Sequence, residues 1–184
     1  KYSFDHYGKG RDVVITLVNS FHGRTIATLT ATGQEVFHNY FGPFNEGFLY
    51  APAGDIEALE ELLEQSDLVN INVPLAPSTT HMISGDLFNH FKPGAVFVNA
   101  ARGAVISEDD LYDALVSGKL KAAACDTFIK EPPTAENKLL SLPNFSATPH
   151  LGGNTEEALQ KAGTEVVEET LNVLAGKAPL HPVN

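Results

Sequence analysis

Residues 95–126 read AVFVNAARGAVISEDDLYDALVSGKLKAAACD, and this stretch decides the fold. Ala95–Asn99 is a nearly continuous apolar run, the pattern of a parallel strand covered on both faces. Ser107 with Asp110 three residues on has the spacing of a capping box. Glu108 and Asp109 suit the positive end of the helix that follows, and Gly118 stops it. Lys121–Cys125 is a second short apolar run. A strand, a helix and a strand in so short a span imply a parallel βαβ unit with a right-handed crossover.

The same alternation extends in both directions. Further strand candidates are Val13–Val18, Phe48–Ala51, Leu68–Val73 and Phe145–Ala147. Asp55 precedes Ile56, Leu59, Leu62 and Leu63, a helical stripe with acids opposite. Ser84 is placed to cap a short helix carrying Leu87, Phe88 and Phe91, stopped by Pro93. Asn154 with Glu157 is expected to open a last helix that runs to about Ala175 and ends at Gly176. Leu159, Ala162, Val166, Thr170 and Val173 share one of its faces. Between Phe37 and Phe48 lies a loop with Tyr40, Phe41 and Phe44 among Gly42, Pro43 and Gly47, unusually aromatic for a water-facing segment. Residues 1–12 are polar, lack an initiator Met and show no element of their own, which reads as a piece of something longer.

Composition narrows the class. The 184 residues suit one domain, and such a length buries roughly two-thirds of its unfolded surface. Apolar residues at 43% and charged residues at 19% are ordinary for a globular protein. No apolar run approaches the length of a membrane span and no signal-peptide pattern is read, so neither a membrane nor export is expected. The lone Cys125 has no partner for an internal disulfide, which fits a reducing, cytoplasmic compartment. A net charge of −11 without a Lys/Arg cluster argues against nucleic acid as a partner.

Ligands of an open parallel sheet bind beyond the carboxyl ends of its strands. There the sequence places Pro74 after Val73, Ala100-Ala101-Arg102-Gly103 after Asn99, Asp126 and then Glu131 after Cys125, and Thr148-Pro149-His150-Leu151-Gly152-Gly153 after Ala147. A cation, two carboxylates and an imidazole thus gather on one edge. The set suits reversible hydride transfer to a 2-keto acid. Arg102 offers a planar fork of donors to a carboxylate, His150 titrates in the range needed to exchange the carbonyl proton, and Glu131 can orient that imidazole. Taken singly, an Arg after a strand is ordinarily a surface ion pair, and a loop His or Glu is commonplace. The combination carries the argument. Cys125, inside a strand, reads as core rather than nucleophile, and no metal is expected.

Residues 64–184 resemble the carboxyl-terminal half of the D-2-hydroxyacid dehydrogenases, the phosphoglycerate, glycerate and formate dehydrogenase group. The matching stretches are Ser66-Asp67-Leu68-Val69 through Val73-Pro74-Leu75, Asn99-Ala100-Ala101-Arg102-Gly103, Asp126-Thr127-Phe128 with Glu131-Pro132, and Thr148 to Gly153. The resemblance implies Arg102, Glu131 and His150 as catalytic. It implies Val73, Pro74, Ala100, Asp126, Gly152 and Gly153 as cofactor-binding, with Asp126 near the nicotinamide and Val73-Pro74 near the adenosine. It also implies a doubly wound, mainly parallel sheet of about six strands in a Rossmann-like three-layer αβα sandwich. The family's G-x-G-x-x-G phosphate loop is missing: Gly8 and Gly10 precede the first strand, and position 13 is Val.

Residues 1–60 are similar instead to part of the large domain of class III, pyridoxal-phosphate-dependent aminotransferases. The similarity rests on Asn19-Ser20-Phe21-His22-Gly23-Arg24-Thr25, Ala31-Thr32-Gly33-Gln34-Glu35 and Gly47-Phe48. It implies that Phe21 faces a cofactor ring, but the Schiff-base Lys and phosphate loop are absent, so pyridoxal phosphate is not expected. These two resemblances predict a single domain over 1–184 built as a chimera, an aminotransferase-like 1–60 joined to a dehydrogenase-like 61–184. Val13–Val18 is expected beside Ala95–Asn99, in the order 3-2-1-4-5-6. A relic site without turnover is expected, with no cofactor bound tightly and NAD weakly if at all. The alternative is a working NAD-dependent oxidoreductase acting on the CH–OH group of a 2-hydroxy acid. Apolar surface left over from both parents is expected to drive formation of a homodimer or larger species.

Overall fold

The computed structural model describes residues 5, 8 and 10–182. Most of the polar stretch expected to lack an element, residues 1–4, 6, 7 and 9, lies outside the described residues. The chain has a parallel α/β, Rossmann-like fold, and its residues group into two compact units. One comprises Lys1–Ser66 with His90–Lys92, the other Asp67–Asn89 with Pro93–Asn184.

In the first unit, β1 (Val14–Leu17) and β2 (Phe48–Ala51) pair in parallel, in register from Val14 with Phe48 to Leu17 with Ala51. The crossover holds the short helix α1 (Ile26–Ala31). Thr16 Oγ1 donates to Ala31 O at 2.8 Å, and Thr32, fully buried, accepts from the His22 amide. α2 (Ile56–Gln65) starts as the sequence indicates, with the Asp55 carboxylate accepting from the Ala58 amide, and it buries Leu63. The aromatic segment packs partly on itself. Phe21 and Phe37 lie 5.7 Å apart with the Arg24 guanidinium 5.3 Å over the Phe37 ring, while Tyr40 and Phe41 face solvent. Phe21 therefore has a protein partner for its ring.

The second unit contains β3 (Leu68–Ile71), β4 (Ala95–Asn99), β5 (Leu120–Cys125) and β6 (Phe145–Ala147), all parallel in the order β3-β4-β5-β6. The expected pairing of Val13–Val18 with Ala95–Asn99 does not occur. β4 has β3 on one edge and β5 on the other, so no edge remains for β1, which pairs with β2 in a sheet of its own. The helices that follow β3 along the chain are α3 (Gly85–His90), α4 (Glu108–Val116) and α5 (Glu156–Leu174). Phe97, Leu111, Leu120 and Val105 are completely buried, each contributing about 1.5–3 kcal/mol relative to exposure.

Two helix starts differ from the sequence reading. Ser107 Oγ accepts the Asp110 amide, but the Asp110 carboxylate turns to the Gly85 amide at 2.9 Å and caps α3 rather than closing a box. α5 is capped by Thr155, one residue after the expected Asn154, because the Thr155 hydroxyl is the group that accepts the Ala158 amide. α5 buries none of its residues. Among the described residues no helix is long and apolar enough to cross a membrane.

Candidate functional site

The predicted residues follow the carboxyl ends of β3, β4, β5 and β6. β4 ends on Asn99, a polar residue with no exposure. Its side-chain amide donates to Arg102 O and accepts from the Ala101 amide, both at 3.0 Å, and its backbone O accepts the Asp126 amide. Asn99 therefore fixes the turn that presents Arg102 and ties it to the end of β5. Buried among apolar strand residues, an amide must be satisfied locally, and the tight turn satisfies it. The sequence reading quoted Asn99 without giving it a role. A polar residue closing an apolar run was the signal available.

Arg102 is exposed, and its Nη1 donates to Ala101 O at 2.8 Å. With Asn72, Val73, Pro74, Leu75, Ala100 and Ala101 it lines an open cavity of about 560 Å3 beyond β3 and β4. The cation and three expected cofactor residues, Val73, Pro74 and Ala100, thus border one space.

Beyond β5 and β6 the structure brings Asp126, Glu131, His150 and Gly152 together. His150 Nδ1 and Glu131 Oε2 are 2.8 Å apart. Glu131 Oε1 accepts the Phe128 amide at 2.9 Å. The hydrogen bond from His150, then that from Phe128, and the nearby Arg102 charge hold the Glu131 carboxyl below its ordinary range. The Nδ1–Oε2 contact leaves the other ring nitrogen of His150, Nε2, outside this pair.

Asp126 organises the turn bearing His150. Its Oδ1 accepts the Thr148 hydroxyl at 2.5 Å and the Leu151 amide at 2.9 Å, while Oδ2 accepts the Gly152 amide at 3.1 Å. Its backbone O accepts the His150 amide. These bonds, led by Thr148, lower its pKa. His150 has φ +55, a left-handed conformation that costs a side-chain-bearing residue roughly 1–2 kcal/mol. The four bonds to Asp126 offset that cost, and Thr148 is the member of the set that sequence reasoning passed over. Gly153 lies next along the exposed turn. Cys125, just before Asp126, is buried. Desolvation and then the Glu108 charge push its thiol up to about 12, which removes it as a nucleophile. Among the described residues no group of three His, Cys, Asp or Glu is placed to hold a metal ion.

A dinucleotide suits these residues. The cavity at the ends of two parallel strands has walls from Asn72–Leu75 and the Arg102 guanidinium in its lining.

Comparison with known proteins bears on both units. The family model described as D-isomer specific 2-hydroxyacid dehydrogenase, NAD binding domain, matches residues 23–152. The chain is 43% identical over 129 residues to a D-3-phosphoglycerate dehydrogenase of Methanocaldococcus jannaschii, a match covering 70% of this chain and 24% of the relative. It is 46% identical over 118 residues to a hydroxypyruvate reductase of Thermotoga maritima, covering 63% and 39%. The chain thus spans well under half of these relatives. A D-isomer specific 2-hydroxyacid dehydrogenase from Xanthobacter autotrophicus Py2, solved in complex with NADPH and MES, superposes with a TM-score of 0.60 at 27% identity, covering 97% of this chain and 75% of that one.

Two expectations change. The family match starts at residue 23, inside the segment that resembled an aminotransferase, and so favours one family there over a junction of two. The expectation that no cofactor binds tightly is overturned: the matched family is an NAD-binding domain, and a structural neighbour was solved with NADPH.

Proposed function

Since the chain belongs to the D-isomer-specific 2-hydroxyacid dehydrogenase family through its NAD-binding domain, we propose that it binds NAD(P) and serves the interconversion of a 2-hydroxy acid and its 2-keto acid. The observation that carries this reading is the 2.8 Å hydrogen bond between His150 Nδ1 and Glu131 Oε2, beside Arg102 on the same strand edge. When bound, the nicotinamide supplies or takes up the hydride. Arg102 holds the substrate carboxylate with its fork of donors and polarises the carbonyl. His150 Nε2 delivers a proton to the carbonyl oxygen during reduction and removes it from the hydroxyl during oxidation. Glu131 keeps Nδ1 protonated, sets the ring plane and stabilises the imidazolium. Val73, Pro74 and Ala100 wall the cavity that would take the cofactor, and Asp126, with Gly152 and Gly153 on the turn it holds, would bind the cofactor beyond β5 and β6, Asp126 near the nicotinamide.

A reducing, cytoplasmic setting suits the lone thiol. The partners are small molecules and further copies of the chain. Leu159, Val166, Val167 and Leu171 of α5 are each more than half exposed, an apolar face that favours self-association. The test of the function is to mix the purified protein with NADH and hydroxypyruvate, glyoxylate or pyruvate, and to follow the absorbance of the reduced cofactor. Turnover that disappears in His150→Ala supports the reading. Turnover that survives in His150→Ala removes the proposed proton donor.

A further inference from the structure

Glu131 and His150 are both substantially exposed, with side-chain accessibilities of 37% and 44%. An exposed pair of this kind is worth about 0–1 kcal/mol and does not fix its own geometry. Something else must hold Glu131 in reach of the imidazole.

The segment that carries it, residues 127–137, is fastened at both ends to one carboxylate. Glu108, the half-buried first residue of α4, accepts the Ile129 amide through Oε1 at 2.7 Å and the Asn137 side-chain amide through Oε2 at 2.9 Å. Asn137 in turn accepts the Leu139 amide at 3.1 Å and anchors the turn Lys138–Ser141, whose Leu139 is fully buried. One residue before Ile129, Phe128 is buried against Phe145, and its amide donates to Glu131 Oε1. The path from Glu108 to Glu131 is therefore continuous: carboxylate, Ile129 amide, Phe128 amide, Glu131 carboxylate.

We propose that Glu108 is a positioning residue for the Glu131–His150 pair, clamping the loop so that Glu131 meets His150 Nδ1. This rests on the function proposed above for the meaning of the pair, but not for the clamp itself. A plain helix-start role does not account for the arrangement. Asp109, in the same first turn, is well exposed beside Lys138 and already suits the helix dipole, whereas both oxygens of Glu108 are turned to the loop. Charge-assisted bonds to a backbone amide and a side-chain amide are the strong kind, suited to holding a catalytic group in place.

The test is a pH titration of the Glu131 carboxyl by 13C NMR in the cofactor-free protein, for wild type, Glu108→Ala and Glu108→Gln. In the wild type the Glu131 midpoint lies below the ordinary value of about 4.3. In Glu108→Ala it rises toward that value. In Glu108→Gln it rises less, because the glutamine oxygen still accepts the Ile129 amide while the Asn137 amide loses its acceptor. Where turnover is measurable, kcat falls on the order of 10²-fold in Glu108→Ala with KM little changed. A folded Glu108→Ala in which Glu131 titrates as in wild type overturns the proposal. If Glu108→Ala does not fold, an unchanged midpoint in Glu108→Gln overturns it equally. The titration needs neither cofactor nor substrate, so an inactive wild type would count against the functional reading alone.

Discussion

Gly103→Ala is a sharp perturbation of the site that replaces none of the proposed catalytic residues. A Cβ at position 103 would stand 1.9 Å from Phe128 C, 2.2 Å from Ile129 N and 2.3 Å from Phe128 O. Ordinary carbon contacts begin at about 3.5 Å, so the backbone at 128–129 must retreat by roughly 1.5 Å. No flexible side-chain end is available to give way, since all three atoms are main chain. Phe128 is buried and Ile129 N is bound to Glu108, so the retreat disturbs both. Overpacking costs typically 1–3 kcal/mol, and a rigid backbone collision belongs at the upper end, about 2–3 kcal/mol. For a chain of this length each kcal/mol lowers Tm by roughly 2–4 °C, so thermal unfolding followed by circular dichroism should shift by about 4–12 °C. Displacing Glu131 by about 1 Å should lower kcat/KM on the order of 10²-fold. A Gly103→Ala protein with wild-type Tm and wild-type Glu131 titration would refute the reasoning, because the clash would then not exist.

Three further outcomes are expected. The lowered pKa values of Asp126 and Glu131 mean that the folded state binds their protons more weakly than the unfolded state, so their contribution is complete above about pH 4.5 and lost as pH falls through the folded values. Urea unfolding at pH 7 and pH 3 should show this loss, and a shallower loss in Asp126→Asn; an equal pH dependence in that variant would contradict it. Cys125, buried with its thiol near 12, should react with a disulfide reagent at pH 8 only as fast as the protein opens; rapid reaction with the native protein would contradict its burial. Light scattering at micromolar concentration should give a dimer or larger species that Val167→Glu with Leu171→Glu reduces; a monomeric wild type would count against self-association through α5.

The second unit was largely legible in the sequence, and the reason is local. Ala95–Asn99 and Leu120–Cys125 are apolar runs bounded by caps and Gly118, so element type and parallel pairing follow from period and spacing. The residues at the strand ends were legible because a strand's carboxyl end is a topologically fixed place. Glu108 was read as a helix-start acid because its position suits the dipole. Its two loop partners, Ile129 and Asn137, are more than twenty residues away and leave no periodic trace. The partner of β1 was misread for a similar reason. Pairing depends on which edges remain free, and β3 had already filled the place beside β4. Asp110 shows the limit at short range: its spacing from Ser107 fits a capping box, yet the Gly85 amide competes for the carboxylate and wins.

The central proposal is a dinucleotide site on the strand-end edge that carries Arg102, Glu131 and His150. The most direct measurement is a fluorescence titration of the purified protein with NADH and, in parallel, NADPH. The account predicts saturable binding of at least one of them, in competition with the oxidised form. Fluorescence that changes only in proportion to added cofactor, with no saturation into the millimolar range, would contradict it.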